Sequence, residues 1–183
     1  MKIIERVKTY AFRHFFGEEL NRRHVSRSRL MINLPQANFV GVLFEFNNED
    51  EYNTISTFMK SLQDEGKRIR SVGYFNGKKM PHYFMQKLSS DLIIPKQVNW
   101  YGKPTSDFIE GFLQEEFDVL IDFSRRNILP LQYIAGLSSA NLKTGLYGRN
   151  NAIYYDIMLH TSPEVPLDEY INQIKHYLTL LNN

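Results

Sequence analysis

The stretch Phe117-Asp118-Val119-Leu120-Ile121-Asp122-Phe123 decides the fold of this 183-residue chain. It is almost continuously apolar over the length of one strand, which suits a central strand of a parallel sheet covered on both faces. Upstream, Phe39-Val40-Gly41-Val42-Leu43-Phe44-Glu45-Phe46 has the same character, and Ile69 to Phe75 and Leu92-Ile93-Ile94 give two further runs. Between the first two, Asn47-Asn48 can cap a segment in which Tyr52, Ile55, Phe58, Met59 and Leu62 recur at helical spacing until Gly66. Strand, helix, strand is the βαβ unit, with a right-handed crossover expected. Asp107 to Glu116 and Ile128 to Leu137 read as helices flanking the decisive strand. Pro166 opens a last helix with Leu167, Tyr170, Ile171, Ile174, Tyr177, Leu178 and Leu181 as its apolar stripe. Leu142 to Tyr147 and Ile153 to Leu159 read as strands whose link, Gly148-Arg149-Asn150-Asn151, is short enough for an antiparallel hairpin. Alternating elements predict an α/β, three-layer, Rossmann-like sandwich around a mostly parallel sheet of about five or six strands, with the hairpin as its C-terminal edge.

With 43% hydrophobic and 14% aromatic residues the chain can bury a core without a staple. It has no cysteine, which excludes thiol catalysis, disulfides and cysteine-ligated metal centres. Charges recur at the N-terminus before any signal-like run forms, and no stretch approaches a membrane span; the expected location is the cytoplasm.

The net charge of +2 is unevenly placed. Residues 1–30 carry Lys2, Arg6, Lys8, Arg13, Arg22, Arg23, Arg27 and Arg29 against Glu5, Glu18 and Glu19. At 100° per residue, Ile3, Ile4, Val7, Tyr10, Ala11 and Phe15 fall within an arc of about 140°, with Lys2, Arg6 and Arg13 across from it and Phe12 and Phe16 outside it. The chain thus divides into a basic helical arm and linker, 1–30, and a single α/β domain, 31–183. The apolar arc can pack on the sheet; alternatively, Lys2, Arg6, Phe12, Arg13 and Phe16 can meet a protein partner or an anionic surface. Such a patch gives salt-sensitive attraction without sequence specificity for nucleic acid.

In open α/β sheets ligands sit beyond the carboxyl ends of the strands. The loops there are Asn47-Asn48, Asn76 to Lys79, Asp122 with Ser124-Arg125-Arg126-Asn127, and Tyr147 to Asn151. The third places a carboxylate, a hydroxyl, two guanidinium groups and a carboxamide at the mouth of the decisive strand. Asp122, Ser124, Arg125, Arg126 and Asn127, helped by Asn76 and Lys78, are candidate ligands for a phosphorylated or nucleotide-like small molecule. The competing reading makes Ser124 or Asn127 a helix cap and Asp122 an arginine's counter-charge. No Walker A, Gly-x-Gly-x-x-Gly or Gly-x-Ser-x-Gly motif is present, so no catalytic residue is assigned. The five histidines are scattered, and neither a metal nor a cofactor is expected. Trp100, in Asn99-Trp100-Tyr101-Gly102-Lys103-Pro104, is expected to be covered.

Phe117 to Ser124, with Tyr133-Ile134-Ala135-Gly136-Leu137-Ser138-Ser139-Ala140 and Leu142-Lys143-Thr144-Gly145-Leu146, resembles part of the N-terminal Rossmann-like domain of heptosyltransferase-type glycosyltransferases. That family follows its first strand with a Gly-Asp loop bearing its catalytic carboxylate. Here the loop is Asn47-Asn48-Glu49-Asp50, so no role is carried over. Taken whole, with Asn99 to Pro104 and Phe117 to Ser124 as landmarks, the chain resembles an uncharacterised family of small bacterial proteins of unknown function. That resemblance implies a bacterial cytoplasmic protein. The leading expectation is a non-catalytic binding or interaction protein acting through its arm; the alternative is an enzyme or sensor for a phosphorylated molecule.

Overall fold

The computed structural model of the chain describes residues 2–23 and 27–181, and of Lys2 and Ile3 the backbone alone. Among the described residues, five α-helices, α1 (Lys2–Arg23), α2 (Glu49–Asp64), α3 (Phe108–Leu113), α4 (Leu129–Leu137) and α5 (Leu167–Leu180), flank six strands. These are β1 (Phe39–Phe46), β2 (Arg68–Phe75), β3 (Ser90–Ile93), β4 (Val119–Asp122), β5 (Leu142–Leu146) and β6 (Ile157–Leu159). They form one sheet in the order β3-β2-β1-β4-β5-β6, and every pairing is parallel.

The two-residue period of the strands sorts their side chains into two cores. Val40, Val42, Phe44 and Phe46 of β1, with Val119 and Ile121 of β4, face α2 and α5, where Ile55, Phe58, Leu62, Tyr170, Ile171, Ile174 and Leu178 meet them. Leu43, Leu120 and Val72 face the other way, against α1, α3 and α4. The result is the three-layer sandwich, with β1 and β4 central and covered on both sides. Asn48 caps α2 by accepting from the Glu51 N–H at 2.9 Å, and Glu49, Asp50 and Glu51 place negative charge at its positive end.

The antiparallel hairpin expected at the C-terminal end is not formed: β6 pairs with β5 in parallel. Asn151–Ile153 is a 3-10 turn rather than the start of a strand, and the link 147–156 carries the chain back along the sheet. Tyr154 and Tyr155 bury their rings on the α4 side as it returns. Their burial holds a crossover that the short Gly148-to-Asn151 segment concealed.

The N-terminal helix is docked, and on the face opposite to its apolar arc. Phe12 and Phe16 are 1% and 3% exposed, stacked 5.7 Å apart and packed with Tyr133 and Tyr154. They are interior residues, not part of a surface open to a partner. Gly136 of α4 makes this possible, since a Cβ there would lie 2.3 Å from Cζ of Phe16. The helix continues through Gly17 to Arg23, and Arg27 pairs with Asp156 beside β5. Trp100, expected to be covered, is 64% exposed.

Candidate functional site

From β1 the chain winds outward through β2 and β3; from β4 it winds the opposite way through β5 and β6. The order therefore reverses between β1 and β4, and the crevice beyond the carboxyl ends of those two strands is where a doubly wound sheet opens to a ligand. The loop Phe123 to Ile128 lies at this point.

The structure draws part of that loop into the fold. Asp122 is fully buried; its Oδ1 accepts from the Ser124 N–H at 2.8 Å and its Oδ2 from the Tyr155 hydroxyl at 2.5 Å. Burial raises its pKa, and the bonds from Ser124 and Tyr155 oppose that rise. It shapes the turn and does not serve as an arginine's counter-charge. Arg125 is buried, donating through Nη2 to Glu51 and through Nη1 to the Val165 carbonyl at 2.8 Å. Arg126 turns to the other face and donates from Nε to Glu45 Oε2 at 2.6 Å. Burial raises the Glu45 pKa against the pull of Arg126. Arg125 is thus held on the α2 and α5 side of the sheet and Arg126 on the other, so the two guanidinium groups do not form one clamp. Ser124 is buried, while Asn76 and Lys78 are exposed beyond β2.

On the Arg126 side the carboxyl ends form a cleft of about 370 Å³. Its floor is Asn127, Ile128, Leu129, Pro130 and Gln132; one wall is Gly148 to Asn151 with Tyr154; its roof is the inner side of α1, with Glu5, Lys8, Thr9, Phe12 and Arg13; Tyr74 closes the end of β2. Three segments far apart in sequence thus enclose one space. Among the described residues, Lys8, Arg13 and Arg149 bring three cations against the one carboxylate of Glu5. The floor is the beginning of α4, where Leu129 and Leu131 carry first-turn N–H groups at the positive end of the helix.

An amide network, buried at Gln132 and Asn151 and exposed at Asn127, fixes the floor. Asn127 Oδ1 accepts from Gln132 Nε2 at 2.8 Å and from Asn151 Nδ2 at 3.0 Å, and Asn151 Nδ2 also donates to the Leu146 carbonyl at 2.9 Å. Gly148 admits that side chain, because a Cβ there would stand 2.9 Å from Asn151 Nδ2. Burial raises the Tyr154 pKa to about 12, against the pull of Arg13, and burial raises that of Tyr74 as well. Three cations and a helix terminus can hold an anionic group, with the half-buried Tyr74 ring beside it for a flat apolar one.

Of the residues expected from the sequence, Asn127 lines the cleft and Arg13 joins it from the arm; Asp122, Ser124 and Arg125 lie within the fold. Lys8, Arg149, Gln132, Tyr74 and Tyr154 were not singled out. Arg149 had a local signal in its place in a loop after a strand, and Lys8 in its place on the basic arm.

The heptosyltransferase WaaC of E. coli, solved with ADP, aligns with 78% of this chain and 48% of its own length at 13% identity and a TM-score of 0.46. A family 9 glycosyl transferase of Veillonella parvula aligns with 78% of this chain and 42% of its own, at 13% identity and a TM-score of 0.45. The chain spans less than half the length of either. No curated protein matches it. A model described as a family of unknown function, DUF6913, matches residues 8–181, and the chain belongs to that family.

Proposed function

We propose that this chain is a cytoplasmic, non-catalytic binding or sensing domain for a phosphorylated, nucleotide-like small molecule held in the cleft under α1. The observation that carries this reading is the convergence of Lys8, Arg13 and Arg149 around the start of α4, at the carboxyl ends of the strands. Phosphate oxygens would take charge-assisted hydrogen bonds from the cations and from first-turn N–H groups, while the half-buried Tyr74 offers ring surface to a base or sugar. Among the described residues that line the cleft, Glu5 is the one carboxylate, and it stands beside these cations. That composition favours binding over acid-base or nucleophilic chemistry.

Thermal unfolding against a panel of nucleotides, sugar phosphates and inorganic phosphate tests this reading. A ligand at a hundred times its Kd should add roughly 2.7 kcal/mol of stability. Lys8→Ala with Arg149→Ala should erase the gain. No stabilising compound, or a gain that survives the double substitution, would overturn the assignment.

A further inference from the structure

The inner face of α1 is used by the fold; the outer face is not. Ile4, Val7 and Tyr10 are 74%, 57% and 77% exposed there. The apolar surface continues onto a second element, because the Phe15 ring lies 4.6 Å from that of Tyr101 and meets Trp100 edge-on at 6.3 Å. Scattered exposed apolar side chains are ordinary, but a row running along a helix and onto the adjoining loop marks a surface that meets something.

The charges beside the row indicate what it meets. At 100° per residue Arg6 and Arg13 run along one margin of the row and Lys8 along the other. In an anionic bilayer, an in-plane helix sinks its aliphatic side chains to the acyl boundary. Its tyrosine and tryptophan rings rest at the headgroups, and its long cations reach lipid phosphates. We infer that the outer face of α1, with the Trp100 loop, docks the protein on an anionic lipid bilayer. A second copy of the chain fits less well, since two-fold pairing of the row would set Arg6 and Arg13 of one copy beside those of the other. Among the described residues no helix is long and apolar enough to cross a membrane, so the contact is peripheral. Lys8 and Arg13 also line the cleft, so the inference rests on residues outside it: the exposed row Ile4, Val7 and Tyr10, the Trp100 loop and Arg6.

Trp100 is the sole tryptophan, so its emission reports on this surface directly. The full chain is titrated with vesicles of phosphatidylcholine alone and of phosphatidylcholine mixed with phosphatidylserine. The mixed vesicles should shift the emission to shorter wavelength, brominated acyl chains should quench it, and high salt should lower the partition coefficient about tenfold. Val7→Ser with Tyr10→Ser should abolish the shift with an unchanged circular dichroism spectrum. Arg6→Glu, an exposed charge change that leaves the row intact, should weaken it. Unchanged emission with the mixed vesicles, salt-insensitive binding to pure phosphatidylcholine, or a shift that follows protein concentration without lipid would each overturn the inference. The last result would assign the face to a second copy, and none of the three would affect nucleotide binding in the cleft.

Discussion

Arg27 grips the Asp156 carboxylate in a fork, Nη1 to Oδ2 at 2.7 Å and Nη2 to Oδ1 at 2.6 Å, and so ties the chain beyond α1 to the start of β6. Arg27 Nη1 also donates to the Ala140 carbonyl at 3.1 Å, and Asp156 Oδ2 accepts from the Lys143 N–H at 3.0 Å. Both side chains are largely buried. Arg27→Ala leaves a largely buried carboxylate without its closest cation and should cost about 2–3 kcal/mol in urea unfolding. Arg27→Lys keeps the charge but not the fork and should recover only part of the loss. A cost below about 0.5 kcal/mol would show that this segment is not an anchor.

Docking of α1 rests on two rings. Phe12→Ala or Phe16→Ala removes a fully buried aromatic from a close-packed layer and should cost about 3–5 kcal/mol. Ile4→Ser, on the outer face, should stay within about 0.5 kcal/mol. The contrast, measured by chemical denaturation, separates the two faces of one helix; equal costs would mean that α1 is not seated as described.

That contrast also shows where the sequence was silent. Counting apolar positions on a helical wheel favours the Ile4, Val7, Tyr10 side. Packing instead chose the side with two phenyl rings, which bury more area per residue and fit against Gly136. The central strands were legible because continuous apolar runs such as Phe117 to Phe123 fit few positions but the middle of a parallel sheet. The direction of β6 was not, because Tyr154 and Tyr155 read as strand residues until the tertiary structure buried them in a crossover. The cleft was half legible: the rim at the strand ends followed from topology, but the meeting of Lys8, Gln132 and Arg149 exists only once α1 has docked.

Acid should loosen the α1 attachment. Glu19 accepts from Arg22 Nη2 at 2.6 Å and Arg23 Nε at 2.7 Å, with Lys103 at 3.6 Å, and Arg23 reaches on to Glu110 of α3. Burial alone would raise the Glu19 pKa, but the bonds from Arg23 and Arg22 and the charge of Lys103 outweigh it and bring it from 4.5 to about 2. The folded chain therefore keeps this charge where the unfolded chain has lost it. The stabilisation is complete above pH 4.5 and disappears as the pH falls toward 2. Glu19→Gln should flatten the fall of Tm across that window; an unchanged acid profile would remove Glu19 from the account.

Lys143 should act at the other end of the scale. Its buried ammonium donates to the Ala135 carbonyl at 2.7 Å, at the C-terminal turn of α4. Burial first, and then Arg27, lower its pKa from 10.5 to about 7, with Asp156 opposing. Between those values the unfolded chain binds the extra proton, so stability should rise with pH above 7. Near pH 10 the trend should end, because burial raises the pKa of Tyr155 and Tyr170 above the ordinary tyrosine value of 10.0 and the unfolded phenols ionise first. Lys143→Met should abolish the rise between pH 7 and 10, read from urea midpoints; a rise that persists assigns it elsewhere.

The most direct measurement is a crystal structure of the protein with whichever phosphorylated compound raises its Tm. The account predicts the phosphate within hydrogen-bonding distance of Arg13 or Arg149 at the start of α4, with the remainder of the molecule against Tyr74. A phosphate seated instead on Asn76 and Lys78, or a ligand outside the space beneath α1, would contradict it.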